Sequence, residues 1–155
     1  MQILNEIICN HPFFEGFDER YLSMLCEAAT LIRFEADQLL FQEHKPATHF
    51  YLVHQGRVAL ETTTVGSETI IVQTISAGDA LGWSWMFPPY RWRFSARAVN
   101  VTEVIAVSAS FLRSMGKLHP EFGYELTLRV AGIMGQRLRA ARLQLVNFQA
   151  KNAAH

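Results

Sequence analysis

The chain predicts a mainly β fold with flanking helices, and three observations carry that reading. Residues 1–30 place apolar side chains at helical spacing. Residues 31–109 break into short strand-like runs separated by glycine-bearing turns. Residues 110–150 return to a period of three to four. Short strands at regular spacing favour a barrel or a sandwich. A length of 155 residues fits one domain spanning 1–155. Half of the residues are hydrophobic, enough for a core that needs no staples.

The elements follow in order. Ile3, Ile7 and Ile8 share one helical face, and Asp18 is placed to cap a helix holding Leu22, Leu25 and Cys26. Phe13, Phe14 and Phe17 cluster around Gly16, a turn residue. Leu31-Ile32-Arg33-Phe34 and Gln38-Leu39-Leu40-Phe41 read as strands, with Glu35 and Asp37 in the turn between them. His49-Phe50-Tyr51-Leu52-Val53 and Arg57-Val58-Ala59-Leu60-Glu61-Thr62 are strands joined by the hairpin signal His54-Gln55-Gly56. A further strand covers 68–75, and two more cover 95–100 and 102–107. Residues 110–118 read as a short helix. Pro120 opens a long one at its first turn.

That long helix carries an apolar stripe through Phe122, Leu126, Val130, Ile133, Leu138, Ala141 and Leu145, with Met134 and Phe148 beside it. A small β domain leaves part of so long a stripe uncovered. A second copy related by a two-fold axis is the economical cover, so a homodimer is expected.

Composition narrows the function. Fourteen basic residues balance fourteen acidic ones, so nothing draws the whole chain to nucleic acid or an anionic membrane. The start, Met1-Gln2-Ile3-Leu4-Asn5-Glu6, lacks the pattern of a signal peptide. No apolar run approaches the ~20 residues of a membrane span. Cys9 and Cys26 have no metal-type spacing, and Cys26 is expected as a buried thiol. The expectation is a cytoplasmic, reduced protein.

The most unusual stretch runs from residue 78 to residue 98. It holds all three tryptophans, Trp83, Trp85 and Trp92, the adjacent Pro88 and Pro89, and Arg91, Arg93 and Arg97. If its second half is extended, Arg91, Arg93, Ser95 and Arg97 share one face and Trp92, Phe94 and Ala96 the other. A cationic face lining a pocket would make an anion site. An aromatic face would fill the pocket or favour a flat apolar ligand.

Several segments together resemble a known family. Leu40-Phe41-Gln42-Glu43-His44, then His49 through Leu60 with its Gly56 hairpin, then Ile75-Ser76-Ala77-Gly78-Asp79-Ala80-Leu81-Gly82, then Arg97-Ala98-Val99 and Thr102-Glu103-Val104-Ile105-Ala106-Val107 are similar to the cyclic-nucleotide-binding domain. The likeness is to the sensor half of the bacterial catabolite-activator superfamily and covers roughly Phe13 to Phe148. It implies a double-stranded β-helix (jelly-roll) barrel over 31–109, N-terminal helices over 1–30 and C-terminal helices over 110–150. It also implies a non-enzymatic sensor that signals through a dimer helix. The superfamily's regulators continue into a helix-turn-helix module. This chain stops at His155, so no DNA-binding domain is expected, and an unknown protein partner would carry the output.

The resemblance also implies a site. A cyclic phosphate calls for a guanidinium that gives two parallel hydrogen bonds, aided by backbone N–H groups. The ribose 2′-hydroxyl calls for a carboxylate. In the family that glutamate follows the glycine that Gly82 matches, and here Trp83 stands there. An indole donates one hydrogen bond and accepts none. Aligned back from Arg97-Ala98, Trp92 falls at the phosphate arginine; a one-residue gap puts Arg93 there instead. Losing such a contact costs about 2–5 kcal/mol, on the order of a thousandfold in affinity. The candidate ligand-binding residues are Gly82, Trp83, Ser84, Trp85, Arg91, Trp92, Arg93 and Ser95. The effector expected is small and anionic or aromatic. No cofactor is expected, the missing anchor counting against a cyclic nucleotide. The alternative is a ligand-free interaction module with a tryptophan-filled barrel.

Other constellations carry less. His44, His49 and His54 recur every five residues, but strand ligands need even spacing to share a face, so no metal site is expected. No nucleophile elbow, phosphate-loop glycine pattern or paired catalytic carboxylates are present. Arg137, Arg139 and Arg142 read as a solvated helix face whose cations suit the nearby helix C-terminus.

Overall fold

The computed structural model describes residues 2–153; Met1, Ala154 and His155 lie outside them. Helix α1 (Gln2–Asn10) buries Ile8 completely, leaves Ile7 half-buried and leaves Ile3 exposed, so the expected three-residue face narrows to its C-terminal end. A 3-10 turn, Pro12–Phe14, follows. Its cap is His11, whose Nδ1 accepts from the Phe13 N–H at 3.2 Å while Nε2–H reaches the Val53 carbonyl at 2.9 Å. Asp18 caps α2 (Glu19–Ala28) by accepting from the Arg20 N–H at 2.8 Å. Cys26 is half-buried and Cys9 exposed; burial raises the Cys26 thiol above its usual range.

Eight strands follow: β1 (Ala29–Phe34), β2 (Leu39–Phe41), β3 (His49–Gln55), β4 (Arg57–Thr63), β5 (Thr69–Ser76), β6 (Ala80–Leu81), β7 (Ser95–Ala98) and β8 (Thr102–Ser108). They form two four-stranded antiparallel sheets, ordered β1-β8-β3-β6 and β2-β7-β4-β5. The expected jelly roll is present as two sheets, and these do not close into a barrel. Among the described residues no strand pairing joins one sheet to the other; β6, with two residues, and β2, with three, each form one margin of their sheet.

The centre of the first sheet explains where the core sits. β3 and β8 each bury four consecutive residues, Phe50 to Val53 and Val104 to Val107. Continuous burial means that both faces are covered. On one face of β3, Phe50 meets Phe13 and Trp85. On the other, Tyr51 meets Phe41 and Trp92 between the sheets. The β3–β4 turn needs Gly56, which has φ +95° and whose Cβ would fall 2.5 Å from Thr102 Oγ1.

Helix α3 (Ala109–Leu118) starts at the Ser108 cap. Helix α4 (Pro120–Ala153) has 34 residues, about 51 Å at 1.5 Å per residue. The two helices cross closely at Gly116 and Gly123, where a Cβ on Gly123 would come 2.9 Å from the Gly116 carbonyl oxygen. Phe122, Leu126 and Val130 are buried against the rest of the chain and Ile133 is half-buried, so this part of the stripe serves the protein's own core. Leu138 and Leu145 are 72% and 58% exposed, and Ala141 is exposed as well.

Candidate functional site

The loop between β6 and β7 is held by its backbone, and that decides which face of it turns inward. Gly82 leaves β6 with φ +62°. A Cβ there would meet Trp92 Cζ3 at 3.3 Å, so the indole lies directly over the glycine. The Trp92 N–H donates to the Lys45 carbonyl at 2.9 Å, and the His44 N–H donates to the Trp92 carbonyl at 2.8 Å. Clamped on both sides, Trp92 points inward and is 4% exposed. Its ring stacks on Phe41 with centroids 3.6 Å apart and planes 10° apart.

The aromatic face is therefore the inner one, with Ala96 and Ala98 fully buried beyond Trp92. The arginines go outward. Arg91 is exposed and donates to the His44 carbonyl at 2.9 Å. Arg97 donates through Nε to Glu61 Oε2 at 3.1 Å and through Nη1 to the Asp37 carbonyl at 2.7 Å, tying β4, β7 and the β1–β2 turn together. Ser95 accepts from the Glu43 N–H at 2.9 Å. Arg93 is exposed on the rim.

Behind this face lies a cavity of about 410 Å³, bounded by the loop, by β4 and β5, and by α4. Of the sequence-derived candidates, Gly82, Trp83, Ser84, Trp92 and Arg93 line it. Arg91 and Ser95 do not, being committed to backbone partners in the segment before β3. Trp85 does not either. It is 1% exposed and packs on Phe50 at 5.0 Å, on the helical side of the first sheet. There it borders a second cavity of about 430 Å³ between α3 and α4. Its Nε1–H has no partner among the described residues, and its carbonyl accepts from Arg113.

The sequence reading missed the contribution of β5 and α4. Val72 and Gln73 form one wall, and Met134, Arg137, Leu138 and Ala141 form another. Arg137 corrects the expectation of a solvated arginine face. It is half-buried, its Nη2–H donates to the Ala80 carbonyl, and burial lowers its pKa against the opposing pull of Asp79. A signal for it exists: Arg137 lies seven residues after Val130, on the same stripe. Arg139 and Arg142 are exposed as expected.

Among the described residues, no group of three or more His, Cys, Asp or Glu side chains could hold a metal ion. His44 is exposed, and His49 Nδ1 lies 2.9 Å from the Thr48 hydroxyl. No helix among the described residues is long and apolar enough to cross a membrane.

A two-sheet jelly roll preceded by short helices and followed by a long one is the fold of the cyclic nucleotide-binding domain. The family model of the cyclic nucleotide-binding domain matches residues 31–119, and the chain belongs to that family. A cyclic nucleotide-binding domain from Methylobacillus flagellatus superposes with a TM-score of 0.78 at 18% identity, covering 94% of this chain and 82% of that one. The sensor domain of the transcriptional regulator DNR from Pseudomonas aeruginosa gives 0.72 at 16% identity, covering 89% and 93%. The Thermus thermophilus catabolite activator protein gives 0.70 at 22% identity, covering 89% and 63%. At these identities the likeness is one of fold. No curated protein matches the chain.

Proposed function

We propose that this chain is a non-enzymatic sensor domain whose cavity binds a small, flat apolar effector rather than a cyclic nucleotide. The observation that carries the reading is the inward face of the loop. Trp92 stacks on Phe41, Trp83 and Phe94 line the cavity, and among the described residues no carboxylate borders it. The one free ribose hydroxyl of a 3′,5′-cyclic nucleotide, its 2′-OH, would enter without a carboxylate to receive it, and the Trp92 indole stands at the position that the family resemblance gives to the phosphate arginine. Burying a ligand hydroxyl without a hydrogen-bond partner costs roughly 1–3 kcal/mol in a protein. The cavity suits ring surfaces, which gain from offset stacking on tryptophan. Its volume lies at the small end of ligand pockets, roughly 300–1,000 Å³.

The cavity also weighs against the tryptophan-filled module. Of the three indoles, Trp92 packs between the sheets, Trp83 forms a wall and Trp85 lies on the other side of the first sheet. A space of about 410 Å³ stays open beside them.

The output in this reading runs through α4. Met134 and Leu138 wall the cavity, and the same helix continues into exposed Leu145 and Phe148. A second copy of α4 covers that surface in a homodimer. Any effector that binds one arrangement of the helix pair better than another shifts their balance.

Titration calorimetry and thermal unfolding against cyclic AMP, cyclic GMP and the uncharged aromatic 1-naphthylacetamide test the reading. Heat and a raised midpoint are expected with the aromatic compound and not with the nucleotides. Silence across the whole panel would overturn it.

A further inference from the structure

The charge inventory of the α4-walled cavity narrows the effector further, on the foundation of the reading above. Among the described residues two arginines border the cavity, Arg93 and Arg137, and no aspartate or glutamate does. The two differ in setting. Arg93 is exposed on the rim, where water solvates it. Arg137 is half-buried between this cavity and a smaller one that Asp79 and Gln73 border.

An arginine keeps its charge at every accessible pH and carries five N–H donors. Among the described residues Arg137 uses one of them, to the Ala80 carbonyl, and pairs with no carboxylate within 4.0 Å. A guanidinium drawn out of water without a counter-ion is costly, and burial accordingly lowers its pKa. Among the described residues one other half-buried guanidinium lacks a carboxylate: Arg113 donates to the Trp85 carbonyl and lies over the Tyr90 ring, 4.3 Å from its centroid, whereas the remaining two are paired. Arg97 has Glu61, and Arg129 has Glu125 and the Phe13 carbonyl. Arg137 thus stands at the wall of an apolar cavity with no carboxylate in contact, Asp79 acting on it only from a distance.

We infer that the cavity takes a small apolar carboxylic acid, its ring or chain against Trp83 and Trp92 and its carboxylate on Arg137. A carboxylate matches a guanidinium with two parallel hydrogen bonds. It also supplies the counter-charge that the cavity lacks. The anion at this end of the cavity ties the effector directly to α4, because Arg137 is a residue of that helix. Hydrogen bonds to charged groups support at least a tenfold preference over an uncharged isostere.

The test compares three acids with their own amides: 1-naphthylacetate, 4-phenylbutyrate and decanoate, each against its primary amide. Binding is read by tryptophan fluorescence and calorimetry on the wild-type chain and on Arg137→Gln and Arg93→Gln. At least one acid is expected to bind about tenfold or more tighter than its amide. That preference is expected to vanish in Arg137→Gln, with amide binding retained, and to survive in Arg93→Gln. Equal binding of acids and amides would overturn the inference and leave the apolar-effector reading standing. A preference lost only in Arg93→Gln would place the anion on the rim and overturn the role of Arg137. Binding of neither acids nor amides would bring down the effector reading itself. Should Arg137→Gln fail to fold, Arg137→Lys keeps the charge while removing the fork, and a preference unchanged in it would contradict bidentate recognition.

Discussion

The Trp92 indole lies flat on the Phe41 ring, with centroids 3.6 Å apart and an angle of 10° between planes. The contact joins β2 to the loop before β7 and closes off the place where the sequence alignment locates a phosphate arginine. Trp92 is 4% exposed while its neighbour Arg93 is exposed. Trp92→Ala is expected to destabilise the fold by about 3–5 kcal/mol, as for other large aromatic truncations in cores. Arg93→Ala is expected to stay within about 0.5 kcal/mol of wild type. Urea unfolding of the two variants checks the pair. A small loss in Trp92→Ala would mean that the indole is not packed as described.

The Glu61–Arg97 pair gives a second prediction. Glu61 is 9% exposed and its partner Nε lies 3.1 Å away. Arg97→Met leaves a buried carboxylate alone, which costs about 3–5 kcal/mol in fully buried pairs. The Arg97 side chain is 39% exposed, so the low end of that range is expected. The double variant Glu61→Leu with Arg97→Met is expected to recover most of the loss in the same unfolding measurement. A double variant no better than the single one would show that the charge is not the cause.

His11 predicts a pH dependence of stability. Its pKa is lowered chiefly by burial and also by His54, while the Val53 carbonyl and Asp79 pull it upward. The folded state therefore holds the His11 proton less tightly than the unfolded chain, whose pKa is about 6.5. The unfolded state binds more protons as pH falls, so the contribution is complete above about pH 6.5 and is lost below it, through the folded pKa. Unfolding midpoints measured from pH 8 to pH 5 are expected to fall less steeply in His11→Gln than in wild type. Parallel slopes would assign the acid sensitivity elsewhere.

At the α3–α4 crossing, Gly123→Ala places a methyl 2.9 Å from the Gly116 carbonyl oxygen. The helices must separate, at about 1–3 kcal/mol for an overpacked site. Gly132→Ala and Gly135→Ala, whose Cβ atoms would meet nothing within 4 Å, are expected to stabilise α4 by up to about 1 kcal/mol. Thermal unfolding of the three variants checks the contrast, and a stabilising Gly123→Ala would contradict the close crossing.

Leu138, Leu145 and Phe148 test the dimer. Replacing Leu138 and Leu145 together with Glu is expected to convert a dimer to a monomer in sedimentation velocity while preserving the β-sheet spectrum. A wild-type chain that sediments as a monomer at high concentration would remove the dimer from the account.

Much of the fold was legible because its signals are local. The Asp18 cap, the Gly56 hairpin and the proline at the start of α4 each declare themselves within a few residues. The site was legible only in part. The sequence supplied the two faces of the 91–97 segment but left open which one turns inward. That choice is made by backbone bonds from Trp92 to His44 and Lys45, more than forty residues earlier in the chain. Trp85 sits one turn of loop from Trp83 yet ends on the opposite side of the first sheet, which no spacing rule indicates. β6, with two residues, has no periodicity to read. Arg137 was visible as an arginine on an apolar stripe, but its Ala80 carbonyl partner comes from that unread strand.

The three tryptophans offer the most direct measurement. Two of them, Trp83 and Trp92, border the cavity beneath the loop, and Trp85 lies outside it. In nitrogen-labelled protein each indole N–H gives its own NMR signal. Titration with 1-naphthylacetate is expected to shift the Trp83 and Trp92 signals, leave Trp85 in place and show no comparable effect of cyclic AMP. Saturation of the same two signals by cyclic AMP at a lower concentration than 1-naphthylacetate would contradict the account.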